Sequence, residues 1–377
     1  MKVAIFETEH FETAFTVIRL FDLPENKITI YTSKETFDRV NDLLPDDMHR
    51  CNWEILPGSN RFRLFNFLYS KLKKQDPDIL WLNTVTSNHL LWALISTLLH
   101  FRKIILTVHD INCLFEPRFR FSLRHAIVHW GKNWLIKRVN EFNVISDTMV
   151  SYLRKNVKEK KIHNIPGAVF AGNSAAPFMQ GQLKIVVPGS IDQKRRNYHQ
   201  VFELAAMADK ERVALQLVLL GGYSSDFGKT IVNRAREFRS EFCKMVAYQT
   251  KIVDQVEFDK QIEAAHFVFI PSVIHTKICG EIPEEYGKTK SSGNIFDVVK
   301  HAKPFIAPGA LTIPANLQTS CFKYNSAGDI LDFFKKLISE PGNYDRWQKN
   351  AVTNSRQYTI EKVRERNEDL FKPPVSG

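Results

Sequence analysis

The chain has no paired cysteines, no long apolar runs and no glycine-rich phosphate loop. Cys51, Cys113, Cys243, Cys279 and Cys321 are scattered over 377 residues, and none forms a C-x-x-C pair. That spacing indicates neither a structural zinc site nor a disulfide framework, and it fits a reducing cytoplasm. The longest apolar run, HLLWALISTLLHF at 89–101, is shorter than the ~20 residues of a membrane-spanning helix and reads as a buried helix. MKVAIFETEH, at the start, lacks the apolar centre of a signal peptide. The sequence contains no G-x-S-x-G elbow, and GKT at 228–230 lacks the upstream glycines of a Walker loop. Nor does any nucleic-acid recognition motif occur, so no nucleic acid is expected as a partner.

What the chain does have is positive charge. Fifty-two Lys and Arg against 41 Asp and Glu leave a formal charge of +11. A basic protein suits an anionic surface or a phosphorylated substrate. The charge is concentrated in PRFRFSLRHAIVHWGKNWLIKR at 117–138, which has no acidic residue and interleaves Phe119, Phe121, Trp130 and Trp134 with the cations. Basic residues among large aromatics suit a helix lying on an anionic membrane. The plainer alternative is a helix with one core face and one solvated basic face.

Short apolar runs alternate with helical patterns along the chain. VAIF (3–6), KITIY (27–31), ILWL (79–82), KIILTV (103–108) and EFNVI (141–145) read as strands, with helices at 11–21, 62–72, 89–99 and from 147. HNIPGAVFAGNSAAPFMQGQ at 163–182 breaks this rhythm with Pro, Gly, Ser and Asn and reads as a linker. A second series follows: KIVV (184–187), LQLVLL (215–220) and FVFI (267–270), with helices at 198–208 and 327–337. Within GKTKSSGNIFDVVKHAKPFIAP (287–308), Ile295, Val298, Val299 and Ala302 share one helical face, Lys303-Pro304 ends the helix, and FIA is a strand. Continuous apolar strands alternating with helices predict parallel sheets covered on both faces. The fold class is therefore α/β, with two Rossmann-like domains facing across a cleft. The expected boundaries are an N-terminal domain at 1–165, a linker at 166–182, a C-terminal domain at 183–343 and a helical tail at 344–377 that crosses back to the first domain. Ligands of such sheets sit beyond the strands' carboxyl ends. Here those ends carry Asn83-Thr84, His109-Asp110, Ser146-Asp147, Gly189-Ser190, Gly221-Gly222-Tyr223 and Pro271-Ser272.

Several segments, in order, resemble GT-B glycosyltransferases of the retaining family 4 kind. They are LTVHD (106–110), NVISDTMVSYLRK (143–155), HNIPGAVF (163–170), VVPGSIDQKRRNY (186–198), LVLLGG (217–222), FVFIPS (267–272) and SSGNIFDVVKHAKPFIAP (291–308). The resemblance implies transfer of a sugar from a nucleotide-sugar to a glycan or lipid-linked acceptor, with retention and without a metal or other cofactor. It implies a donor diphosphate held by Gly189, Ser190, Arg195, Arg196, Lys290, Ser291, Ser292 and Gly293. The nucleoside would lie on Asp297, Gly222 and Tyr223. His109, with Asp110, would act at the sugar, and His10, Glu9, Asn83 and Glu285 would contact acceptor or sugar. A cationic loop beside a helix N-terminus suits an anion, which is the elementary reason for the diphosphate assignment. The expected setting is bacterial surface-polysaccharide assembly, in the cytoplasm at the inner face of a membrane, with 117–138 touching the lipid. This chain departs from the family in three places, the first being the N-terminal glycine loop of many relatives, where FETEHFET (6–13) stands instead. Ser190 stands where the first basic residue is usual. Asp297 stands at the second position of the acidic pair, while Thr289 occupies the first, with Glu284 and Glu285 just upstream. A nucleotide-sugar epimerase on the same fold, or a non-catalytic protein binding an anionic partner, are the rival readings.

Overall fold

The computed structural model describes the whole chain except residues 45–50, 59, 117–122, 173–181, 278–279, 341 and 373–377, and the side chains of 123 and 124. Strands β1 (Lys2–Glu7), β2 (Lys27–Thr32), β3 (Cys51–Ile55), β4 (Ile79–Leu82), β5 (Lys103–Val108), β6 (Glu141–Val144) and β7 (Lys161–Asn164) form one parallel sheet in the order 3-2-1-4-5-6-7. A second parallel sheet contains β8 (Leu183–Pro188), β9 (Leu215–Leu220), β10 (Cys243–Ala247) and β11 (Phe267–Phe269). Two short strands, β12 (His275–Thr276) and β13 (Glu284–Glu285), pair antiparallel outside it. β14 (Phe305–Pro308) and β15 (Cys321–Tyr324) complete the second sheet, whose order is 10-9-8-11-14-15.

Each sheet is buried on both faces, which explains its apolar runs. All four residues of β4 are buried. Helices Arg61–Gln75, His89–Leu98 and Leu123–Arg138 cover one face of the first sheet, packing Leu68, Trp92 and Leu135. Helix Phe11–Phe21 covers the other with Val17, Ile18 and Phe21. In the second domain, helices Tyr198–Lys210 and Ala327–Ser339 cover one face, and Gln255–Glu263 and Gly293–Lys300 cover the other.

Strand order reverses between β1 and β4, and again between β8 and β11. The chain leaves these neighbouring strands in opposite directions, so a crevice opens at their carboxyl ends. These two crevices hold most of the residues discussed below.

The chain ties its halves together. The Ile111 N–H donates to the Thr289 carbonyl at 2.9 Å, and the Cys113 N–H donates to Glu284 Oε1 at 2.7 Å. Gly167 packs so closely on Phe296 that a β-carbon there would lie 2.3 Å from the ring. Helix Gly342–Ser355 packs on the second domain, whereas Ile360–Arg366 lies against helix Phe11–Phe21 of the first. Arg364 donates to the carbonyls of Arg19, Leu20 and Asp22, where that helix ends with its last carbonyls lacking helical partners.

Candidate active site

Glu7, the last residue of β1, is fully buried. Its carboxylate accepts from the N–H groups of Glu9 (2.6 Å) and His10 (2.9 Å), from Asn83 Nδ2 (2.7 Å) and from the Thr84 hydroxyl (2.6 Å). A buried carboxylate persists only when its lone pairs are satisfied, as four donors satisfy them here. Sequence reasoning passed over Glu7. The only available signal was an acid placed at the end of an otherwise apolar strand.

His109 follows β5 and is half-buried. Its Nε2 lies 3.0 Å from the Asn83 carbonyl and 3.1 Å from the Thr84 hydroxyl. The His10 ring stacks on it at a centroid distance of 4.6 Å. Burial, followed by the charges of His10 and Lys290, lowers the His109 pKa to about 3, with the Asn83 carbonyl acting the other way. His109 is thus a neutral imidazole at physiological pH.

The other expected residues of this crevice divide. His10 and Glu9 are exposed, and Glu9 takes a hydrogen bond from Thr86. Asn83 corrects an expectation. Its side chain is fully buried and bonded to Glu7, Thr13 and Thr107, so it orients its neighbours within the protein. Asp110, expected to work beside His109, instead pairs with Lys290 of the second domain. Glu285 forms an ion pair with Lys288 at 2.6 Å inside a turn. The neighbouring Glu284 is buried, and its Oε2 has no hydrogen-bond partner among the described residues. Burial, reinforced by the Asp110 charge, pushes its carboxyl up to about 7.

At the second crevice, Gly189 turns the chain after β8 with φ +91. The Arg196 guanidinium occupies the space beside it, and a β-carbon on residue 189 would come 2.1 Å from Nη2. Arg196 is 9% exposed, donates to the Ser190 carbonyl (2.7 Å) and to Asn294 Oδ1 (3.2 Å), and its Nε finds no partner among the described residues. Asn294, in the first turn of helix Gly293–Lys300, also donates to the Pro188 carbonyl at 2.8 Å. A buried guanidinium is thereby fixed beside a glycine turn and a helix N-terminus. Ser292 makes no side-chain cap, and Gly293 is exposed with open space around its α-carbon. Arg195 differs from Arg196. Its side chain is exposed and pairs with Asp192 at 3.3 Å. Lys290 is bound to Asp110, and Ser291 and Ser292 line an interdomain cavity with Ser146, Asp147 and Pro166. The expected diphosphate set is therefore split: Gly189, Ser190, Arg196 and Gly293 come together, joined by Asn294, which sequence reasoning missed. Gly222 approaches the Lys251 carbonyl so closely that a β-carbon would lie 2.0 Å away, and Tyr223 packs on Gly228. Both are turn-forming positions at the end of β9. Asp297 is half-buried. Burial and the Glu12 charge from the facing domain push its carboxyl up to about 7, against the pull of Lys300 and Arg196.

Helix Leu123–Arg138 is less solvated than its charge suggests. Lys132 is buried on the Cys113 carbonyl, and Arg138 is bonded to the Ser96 carbonyl. Trp130, Ile127 and Val128 are exposed. Residues 117–122 of the basic aromatic segment lie outside the described residues. Among the described residues no helix is long and apolar enough to cross a membrane, and no group of three or more His, Cys, Asp or Glu is arranged to hold a metal ion.

Residues 26–170, most of the first domain, match the family model of Glycosyltransferase Family 4. The whole chain has the GT-B fold. It is similar to HepE (Alr3699) of Anabaena, solved with UDP and glucose, at TM-score 0.64 and 12% identity, covering 98% of this chain and 99% of that one. It is also similar to a glycosyltransferase of Rickettsia africae at TM-score 0.64 and 11% identity, over 98% and 97% of the two chains. Sucrose-phosphate synthase of Thermosynechococcus elongatus superimposes at TM-score 0.61 and 15% identity, over 98% of each. No curated protein matches the sequence. The structural likeness thus shows a two-domain GT-B fold, and the family match is confined to the first domain.

Proposed function

We propose that this protein transfers a sugar from a nucleotide-sugar to a glycan or lipid-linked acceptor, with retention of configuration. The observation that carries this reading is the buried Arg196 guanidinium, fixed at the Gly189 turn and the N-terminus of helix Gly293–Lys300. It lies in the domain whose Lys290 pairs with Asp110, the residue after His109. A fixed positive charge of this kind stabilises the leaving nucleoside diphosphate without reorganising. Arg196 and the helix amides supply that charge, so the reading calls for no metal. Asp297, in the second turn of the same helix, accepts the ribose hydroxyls when ionised. His109, neutral and open at one nitrogen, meets the sugar or acceptor hydroxyl from the opposite domain. HepE, solved with UDP and glucose, supports a UDP-linked donor as the first to try.

The same reading places the enzyme on the inner face of an anionic membrane. Support comes from the exposed Trp130, Ile127 and Val128 on a helix preceded by a basic aromatic segment. The test is calorimetry and thermal shift of the purified protein with UDP-, GDP-, ADP- and CMP-linked sugars. Saturable binding of one nucleotide class supports the transferase reading. The chain is also similar to a UDP-GlcNAc 2-epimerase of Neisseria meningitidis, at TM-score 0.52 and 13% identity. Conversion of UDP-GlcNAc to its 2-epimer without an acceptor would favour that chemistry. Binding to anionic vesicles but to no nucleotide would leave a non-catalytic role.

A further inference from the structure

Glu7 is the hub of a buried network that reaches the His109 ring, and the direction of each hydrogen bond follows from chemistry. The Asn83 carbonyl can only accept, so the His109 nitrogen 3.0 Å away carries the proton. The Thr84 hydroxyl has one proton, which it gives to Glu7 Oε2 at 2.6 Å. Its oxygen therefore faces His109 Nε2, 3.1 Å away, as an acceptor. Both partners of Nε2 demand the same tautomer, with hydrogen on Nε2 and a bare lone pair on Nδ1. No described residue pairs with Nδ1, and Nδ1 is not among the buried unpartnered atoms, so that lone pair is open to the cleft. Glu7 also holds the N–H groups of Glu9 and His10, which keeps the His10 ring stacked on His109.

We infer that Glu7 is the positioning residue of the active site: through Thr84 and Asn83 it holds His109 as the Nε2–H tautomer, presenting Nδ1 as the acceptor for a sugar hydroxyl. A carboxylate is required here because four donors converge on it. The glutamine amide offers one acceptor oxygen and adds two N–H donors. With Glu7→Gln the Thr84 hydroxyl loses its acceptor and turns its proton toward Nε2, which favours hydrogen on Nδ1. The inference rests on the transferase reading only for what Nδ1 does. The tautomer itself can be observed without any substrate.

The experiment is nitrogen NMR of the full chain labelled at histidine, with His109 assigned from a His109→Gln sample. Wild-type His109 should show one protonated nitrogen at Nε2 and an unprotonated Nδ1 at pH 7. Glu7→Gln should show Nδ1 protonation or exchange between tautomers. Thr84→Val leaves the Asn83 carbonyl as the sole acceptor, so it should keep Nε2–H but shift the Nε2 resonance, and Thr84→Ser, which restores the hydroxyl, should return it. If Glu7→Gln does not fold, the Thr84 pair decides alone. A single Nε2–H signal retained in Glu7→Gln overturns the inference, as does equal behaviour of the valine and serine variants. A parallel assay follows turnover of UDP-glucose: Glu7→Gln should lower kcat at least tenfold and leave KM within about threefold. If wild type shows no turnover of any nucleotide-sugar, the transferase reading fails while the NMR result for Glu7 stands by itself.

Discussion

Replacing Arg196 with alanine tests the proposed phosphate cradle most directly, because its guanidinium has one observed structural role and one proposed role, each of calculable size. It makes two charge-assisted hydrogen bonds, to the Ser190 carbonyl and Asn294 Oδ1, and it is only 9% exposed. Removing the pair leaves the Asn294 amide oxygen without its guanidinium partner beside a glycine turn. The expected loss of folding stability is about 2–4 kcal/mol, readable as a lower denaturation midpoint at constant slope. If the same group also holds the donor diphosphate, the variant loses one charge-assisted contact worth about 1.5–3 kcal/mol, which weakens UDP binding about 10–150-fold by calorimetry. Arg196→Lys keeps the charge without the planar fork and should fall between. Arg195→Ala is the internal control. Its exposed pair with Asp192 predicts a stability change within about 0.5 kcal/mol and little change in nucleotide affinity. An Arg196→Ala protein that melts earlier yet binds UDP as wild type does would refute the cradle and leave Arg196 a purely structural residue.

The carboxyl of Glu284, pushed up to about 7, holds its proton more tightly in the folded state than in the unfolded chain, so its contribution to stability falls as pH rises between about 4.5 and 7. Glu284→Gln should therefore melt higher than wild type at pH 8, by up to about 3 kcal/mol, and match it at pH 4; equal melting at pH 8 would show that the carboxyl is not strained. Asp297→Asn should flatten the pH dependence of nucleotide binding near 7, as titrations at pH 6 and 8 will show. Gly167→Ala drives a methyl into the Phe296 ring and should cost about 1–3 kcal/mol in chemical denaturation, with little change if the domains can slide apart. Trp130→Ala with Ile127→Ala should reduce co-sedimentation with phosphatidylglycerol vesicles about tenfold and leave neutral vesicles unaffected, if that helix meets lipid.

The sequence by itself determined the class of fold. The central strands are buried on both faces, so each is a continuous apolar run, and ILWL, KIILTV and LQLVLL occupy the ranges read from pattern alone. β3, β7, β10 and β15 escaped notice for one physical reason. They are the edge strands of the two sheets, half-solvated and therefore mixed in composition, as CNWEI and CKMVA show. Strand-end chemistry was equally legible at His109, Gly189 and Arg196, because a parallel sheet sends every strand's carboxyl end to the same side.

Only the tertiary structure decided which of those residues meet. Arg195 and Arg196 are neighbours in sequence, but one faces solvent and the other is buried on Asn294, nearly a hundred residues away. Lys290, expected at the donor phosphate, is paired with Asp110 of the facing domain, a partner the sequence does not reveal. Glu7 and Asn83, 76 positions apart, become one buried network because β1 and β4 pair at the switch point. Pattern reports burial and direction along one chain. Which charge finds which partner depends on distances that exist only once the two sheets have packed.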